Sequence, residues 1–279
     1  MLKKWVLVIF LILCSASLAR AQFLNNWYFD VDGLGGTYSP VRIFEYWDIK
    51  GNAYIDNYDF SDGYNLGSSF DFEEWGFFKS NSSDGGPDFP WENDKNYELT
   101  AIFYLSGAGV LGGNITFSGG WLKIYVDNAR NYGNDTPDPT YYGANDGILI
   151  AEFALVGGTG NIDPSGIPNG QISLTFERTY MASGYFFDES MRDLTELPLT
   201  WVLGYSTTNA SWLENPSITL VDEVGAFSGR TIDNDPPEDL IISASGQFRL
   251  QVVPEPASVI LMGSGLILMA GFLKRKKFK

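Results

Sequence analysis

The sequence predicts an all-β protein: an antiparallel β-sandwich or jelly roll, with an N-terminal signal helix and a single C-terminal transmembrane helix. Three observations point there. Gln171-Ile172-Ser173-Leu174-Thr175-Phe176-Glu177 alternates apolar and polar residues strictly, as a half-buried strand does. Glycine-rich turn signals (Gly112-Gly113-Asn114, Ser118-Gly119-Gly120, Gly157-Gly158, Pro168-Asn169-Gly170) separate short apolar runs. Between the two ends no convincing amphipathic helix pattern interrupts them, and many short strands joined by such turns suit a two-sheet fold.

Met1-Leu2-Lys3-Lys4, an apolar run from Trp5 to Leu13 and Ala19-Arg20-Ala21 form the basic, apolar and A-x-A parts of a secretory signal at residues 1–21. Signal peptidase would cut after Ala21 and leave Gln22 first. Cys14 is the only cysteine and lies inside this segment, after Leu13, which is the wrong size for the small residue that precedes a lipoprotein cysteine. The body, residues 22–252, then has no thiol chemistry.

Within the body, Asn25 to Pro90 is dense in aromatics, Asp and Gly, and reads as edge strands or a looser lobe, with a surface loop over Ser82–Pro90. Strands are expected at Glu98–Leu105, Leu122–Val126, Gly147–Leu155, Gln171–Glu177, Thr200–Tyr205, Ser217–Val221 and Gln247–Val252. With no clean linker or internal repeat, the body reads as one aromatic-rich domain.

Residues 253–279 have three parts in order: Pro254-Glu255-Pro256, an uncharged stretch of 17 residues from Ala257 to Leu273, and the basic end Lys274-Arg275-Lys276-Lys277-Phe278-Lys279. As a helix the stretch would extend roughly 25 Å, slightly short of a ~30 Å hydrocarbon core, and snorkelling basic side chains can offset part of the difference. The basic cluster should stay cytoplasmic, so both ends place the body beyond the inner membrane.

The chain has 34 acidic and 18 basic residues and no histidine. That excludes a Ser-His-Asp triad and His-ligated zinc. Lys3, Lys4 and Arg20 lie in the signal and five basic residues and Glu255 in the tail. Residues 22–253 therefore keep ten basic against 33 acidic residues, a net charge of −23. Such a body repels nucleic acid, which is excluded as a partner.

The tail resembles the PEP-CTERM sorting signal of Gram-negative bacteria. The resemblance rests on Pro254-Glu255-Pro256, the span with Gly263, Gly265 and Gly271, and Lys274-Arg275-Lys276-Lys277. It implies processing by an exosortase, transient anchoring in the inner membrane, and release or attachment at the cell surface or extracellular matrix, usually in bacteria that make exopolysaccharide. A second resemblance, over roughly Tyr97 to Trp212, is to the flocculation-associated type of PEP-CTERM protein. It rests on Gly143–Ala151, Gly170–Phe176, Tyr180–Phe187 and Leu199–Ala210. It implies an exported matrix or aggregation factor in flocculation or biofilm, with exopolysaccharide as partner and no catalytic residues.

Asp56, Asp59 and Asp62 precede Gly63 in a D-x-x-D-x-x-D-G run, so calcium is the ion the sequence points to; no other cofactor is expected. Asp30-Val31-Asp32-Gly33 and Asp233-Asn234-Asp235 are further oxygen-rich loops, but Asp, Asn and Gly also simply make turns. Surface tryptophans among Trp27, Trp47, Trp75, Trp91, Trp121, Trp201 and Trp212 would stack on sugars in a polysaccharide-binding module, the alternative being a core role. A carboxylate-based glycoside hydrolase needs two acids, and Glu73-Glu74 and Asp188-Glu189 are adjacent pairs, but neighbours in a strand face opposite ways. No catalytic residue is assigned and a non-enzymatic protein is expected. Asn81, Asn114, Asn134 and Asn209 begin Asn-x-Ser/Thr sequons.

Overall fold

The computed structural model describes residues 22–94, 96–133, 143–162, 170–197 and 200–253. The expected signal helix (1–21) and transmembrane helix (254–279) lie outside the described residues. Among those described, no helix is long and apolar enough to cross a membrane.

Eight long strands form the wall: β4 (Trp47–Tyr58), β6 (Ser69–Ser83), β7 (Glu98–Val110), β8 (Asn114–Asp127), β9 (Ile148–Ile162), β10 (Gly170–Met181), β12 (Thr200–Trp212) and β13 (Asp239–Val253). Each pairs antiparallel with the next, and β13 pairs back onto β4 from Asp239↔Asp56 to Phe248↔Trp47. The sheet therefore closes on itself. This corrects the sandwich or jelly roll expected from sequence: the antiparallel all-β class stands, but the architecture is an up-and-down β-barrel. Followed strand to strand from Leu250, the pairing returns to β13 at Leu240, a stagger of about ten residues that tilts the staves as closure requires.

The alternation decides which face turns inward. Phe70, Phe72, Phe78, Phe103, Leu105, Phe117, Leu122, Phe153, Leu174, Phe176, Ile242 and Phe248 form one buried core, and an eight-stranded barrel is just wide enough for side chains to fill. Gly76 makes room for a ring: a Cβ there would lie 2.2 Å from the Phe103 ring. Outward positions such as Thr116, Ser173, Thr175, Glu177 and Ser243 are polar and exposed, the reverse of a membrane barrel's apolar outer band.

One end of the barrel is plugged by a small sheet of β2 (Trp27–Phe29), β3 (Val41–Ile43) and β11 (Phe186–Phe187), together with the short helix α1 (Pro90–Asp94). Trp27, Phe29, Trp47, Phe186 and Trp91 meet there with ring centroids 4.9–6.2 Å apart. The short β5 (Ser61–Tyr64) lies at the other end, beside the turn into β6. β1 (Gln22–Phe23) continues the edge of β13 beyond β4, with Gln22↔Val252 and Phe23↔Gln251.

Two further expectations are corrected. Ser217–Val221 is not a strand: it opens helix α2 (Ile218–Ser228). Ser217 caps it by accepting the Leu220 N–H at 3.3 Å, and Gly229, at φ 70°, ends it in the left-handed region glycine favours. Leu220 and Val224, one turn apart, pack on Tyr54, Trp75, Phe77 and Ile241 on the outside of the wall. Within Asn25–Pro90, β4 and β6 are full staves rather than edge strands or a looser lobe, while β2 and β3 belong to the small end sheet.

Candidate functional site

The junction between the barrel and its tail carries the clearest functional geometry. β13 is held on one edge by β12, up to Thr200↔Val253, and on the other by β4 and then β1. Wall pairing thus continues to the residue before Pro254. Pro254, Glu255 and Pro256 and the basic residues Lys274, Arg275, Lys276 and Lys277 lie outside the described residues.

Beside this junction Arg249 points outward from β13. It bonds Glu45 at 2.7 Å and Gln247 at 2.8 Å, and lies 5.6 Å over the Phe23 ring and 5.1 Å over Tyr46. Arg42 bonds Asn26 at 2.6 Å and lies 4.5 Å over exposed Phe44. The Asp84 carboxylate fixes this loop by accepting the backbone N–H groups of Phe44, Glu45 and Tyr46 at 2.7–3.0 Å.

The acidic run is not assembled into a cage. Asp56 points outward from the end of β4 and pairs with Arg230 at 2.5 Å. Asp59 and Asp62 are exposed on the following turn and strand, where the Asp62 N–H donates to Ser68. Among the described residues no group of three or more His, Cys, Asp or Glu is placed to hold a metal ion. Arg230 also binds Glu73, which accepts the Tyr104 hydroxyl at 2.5 Å. Burial raises the Asp56 carboxyl, Arg230 opposes the rise, and Asp239 and Glu73 add to it. Tyr104 is pushed up to about 12 by burial and by Glu73.

Elsewhere aspartates staple loops. Asp193 accepts Ser183, Gly184 and both Thr195 donors at 2.6–2.8 Å. Asp188 holds the Ser190 and Arg192 N–H groups and the Arg192 guanidinium. Asp239 accepts the N–H groups of Asp233 and Asp235, and Asp32 those of Thr37 and Tyr38. Asp30, 2% exposed, is raised to about 7 by burial and by the Asp32 carboxyl beside it. Asp32, Asp188, Asp193 and Asp239 thus accept backbone and side-chain donors of their own loops and fasten them.

The adjacent acidic pairs are split. Glu73 faces outward to Arg230 and Tyr104, whereas Glu74 shares the inward face with Phe72 and Phe78 and is 3% exposed. Asp188 is bound into its turn while Glu189 is exposed. Trp27, Trp47, Trp75 and Trp91 are core residues, Trp121 is half-buried, and Trp212 is 39% exposed with its indole N–H on Asn234 at 3.1 Å. The Trp201 side chain lies outside what is described. Of the sequon residues, Asn114 is exposed and Asn81 half-buried; Asn134 lies outside the described residues.

Sequence reading missed a buried ionic knot on the outer wall. Lys79 lies 3.2 Å from Glu92 and 3.5 Å from Glu98, and Arg130 lies 2.6 Å from Glu92. Glu98 also accepts the N–H groups of Asn131 and Tyr132 at 2.9 and 3.0 Å, which fastens the segment after β8 to the barrel. The signal was a lysine at an alternating strand position, next to Phe77 and Phe78.

In sequence, the last stave of the wall is followed directly by the Pro-Glu-Pro, apolar and basic parts of the tail. The comparison with protein families gives the same result: residues 252–277 match the PEP-CTERM protein-sorting motif. The chain thus carries a PEP-CTERM sorting motif, which supports an exported protein sorted by an exosortase. No curated protein and no solved structure matches it.

Proposed function

We propose that the chain is a non-catalytic cell-surface or extracellular-matrix protein of a Gram-negative bacterium, acting in exopolysaccharide-associated aggregation, as in flocculation or biofilm. The observation that carries this reading is the joining of a sorting tail to a filled barrel with a polar outer wall. Its interior is closed by packed side chains, and several of its carboxylates, Asp84 and Asp193 among them, serve internal donors. Outward hydroxyls and amides, including Asn114, Thr116, Ser173, Thr175 and Thr179, present a hydrated wall suited to a polysaccharide gel. Deleting the gene and restoring it with the full chain or with a chain ending at Val253 tests this. Aggregation should fall on deletion and return only with the full chain. Unchanged aggregation after deletion would refute the role.

A second reading is a secreted polysaccharide-binding module, favoured by Trp212, whose indole is exposed and oriented by Asn234. A glycan array separates the two: strong binding to one glycan, lost in Trp212→Ala, supports the module. A glycoside hydrolase is disfavoured by the split Glu73–Glu74 pair, whose two carboxyls lie on opposite faces of the wall.

A further inference from the structure

The sorting tail sets a geometric limit on the barrel. Val253 is still paired in the wall, and the uncharged stretch starts at Ala257. Only Pro254, Glu255 and Pro256 lie between, and three extended residues reach at most about 11 Å. While residues 257–273 are lodged in a bilayer, the end of β13 is therefore held about one Debye length from the membrane surface, where charges are weakly screened. A body of net charge −23 would be repelled by an anionic leaflet at that range.

The wall beside this end is suited to such a surface. Phe23 and Phe44 are 46% and 56% exposed, with Arg249 over the first and Arg42 over the second. The patch is continuous with the junction, since Phe23 pairs with Gln251 and the Leu24 N–H donates to Leu250. Two carboxylates beside it are engaged, Glu45 by Arg249 and Asp84 by three backbone N–H groups. Aromatic rings with guanidinium groups suit the headgroup layer, where the ring enters the apolar boundary and the cation meets phosphate.

We propose that Phe23, Phe44, Arg42 and Arg249 form a membrane-docking face, on which the unprocessed chain rests against the lipid headgroups while its tail is embedded. The inference rests on the reading that residues 257–273 lodge in the membrane. The face fixes the direction of the barrel, placing the plugged end towards the bilayer and the β5 end away from it.

The test uses the chain from Gln22 to Lys279, which lacks cysteine, reconstituted in phosphatidylethanolamine–phosphatidylglycerol vesicles. Phe44→Cys and Leu66→Cys, at opposite ends, each carry an environment-sensitive dye, and quenching by headgroup-level spin-labelled lipid is read. Position 44 should be quenched several-fold more than position 66, and adding Phe23→Asp, Arg42→Glu and Arg249→Glu should abolish the difference while alkali extraction still leaves the chain in the vesicles. A chain that stays embedded with equal quenching at both sites overturns the docking face alone. A chain that does not stay embedded overturns the membrane reading and the proposal with it.

Discussion

Glu74 offers a sharp test of the barrel's interior. It sits on the inward face of β6, between Phe72 and Phe78 and paired across to Leu105, and is 3% exposed. Burial alone raises its carboxyl from 4.5 to about 8. The folded chain thus holds a proton that the unfolded chain has lost through most of that interval. The contribution of Glu74 is fully favourable below about pH 4.5 and falls as pH rises towards 8. At about 1.4 kcal/mol per pH unit, the loss across the window is about 5 kcal/mol. With an m-value of about 3 kcal/mol/M, that moves the urea midpoint down by about 1.5 M between pH 5 and pH 9. Glu74→Gln keeps the shape and removes the titration, so its stability profile should be flatter and should cross above the parent near neutral pH. Urea unfolding of both proteins at several pH values is the assay. Parallel profiles would show that Glu74 is not a desolvated carboxyl in a packed barrel and would refute the inward assignment.

Three more outcomes follow from particular contacts. Gly76→Ala drives a Cβ into the Phe103 ring and should cost about 1–3 kcal/mol, with Phe103→Leu restoring part of it in the double variant; thermal unfolding reads this. Lys79→Met leaves Glu98 buried without its cation and should cost about 3–5 kcal/mol by urea unfolding, with Glu98→Gln in the same chain recovering much of the loss. Burial pushes the Asp193 carboxyl up, but its bonds to Ser183, Thr195 and Gly184 outweigh this and hold it below its ordinary 3.8. Its contribution is therefore present above that value and lost as pH falls through the folded one. Asp193→Asn should be the less stable protein at neutral pH, by about 1–3 kcal/mol, and the gap should close in acid.

The all-β class was legible because alternation is local: Gln171–Glu177 shows which face is apolar whatever surrounds it. Closure was not, since the decisive pairing joins Trp47–Asp56 to Asp239–Phe248, far apart in sequence. Sandwiches and barrels share one alternation pattern, and only that long-range ladder separates them. Helix α2 was misread because Ser-Ile-Thr-Leu-Val favours strands; the apolar spacing of Leu220, Val224 and Phe227 was the better guide. The D-x-x-D-x-x-D spacing gave residue types without directions. A strand end, a turn and a second strand send Asp56, Asp59 and Asp62 different ways. The sorting tail was legible because its meaning lies in the order of its parts, which needs no fold.

The place of β13 as the closing stave also sets a schedule. Until Asp239–Phe248 arrive, β4 exposes an unpaired edge, and the barrel cannot shut. That last stave is synthesised only a few residues ahead of the apolar stretch. The barrel can therefore close only once nearly all of residues 22–253 are present, and its closing stave ends where the sorting motif begins. A defect in an early stave leaves an open sheet with unpaired edges ahead of an intact sorting motif.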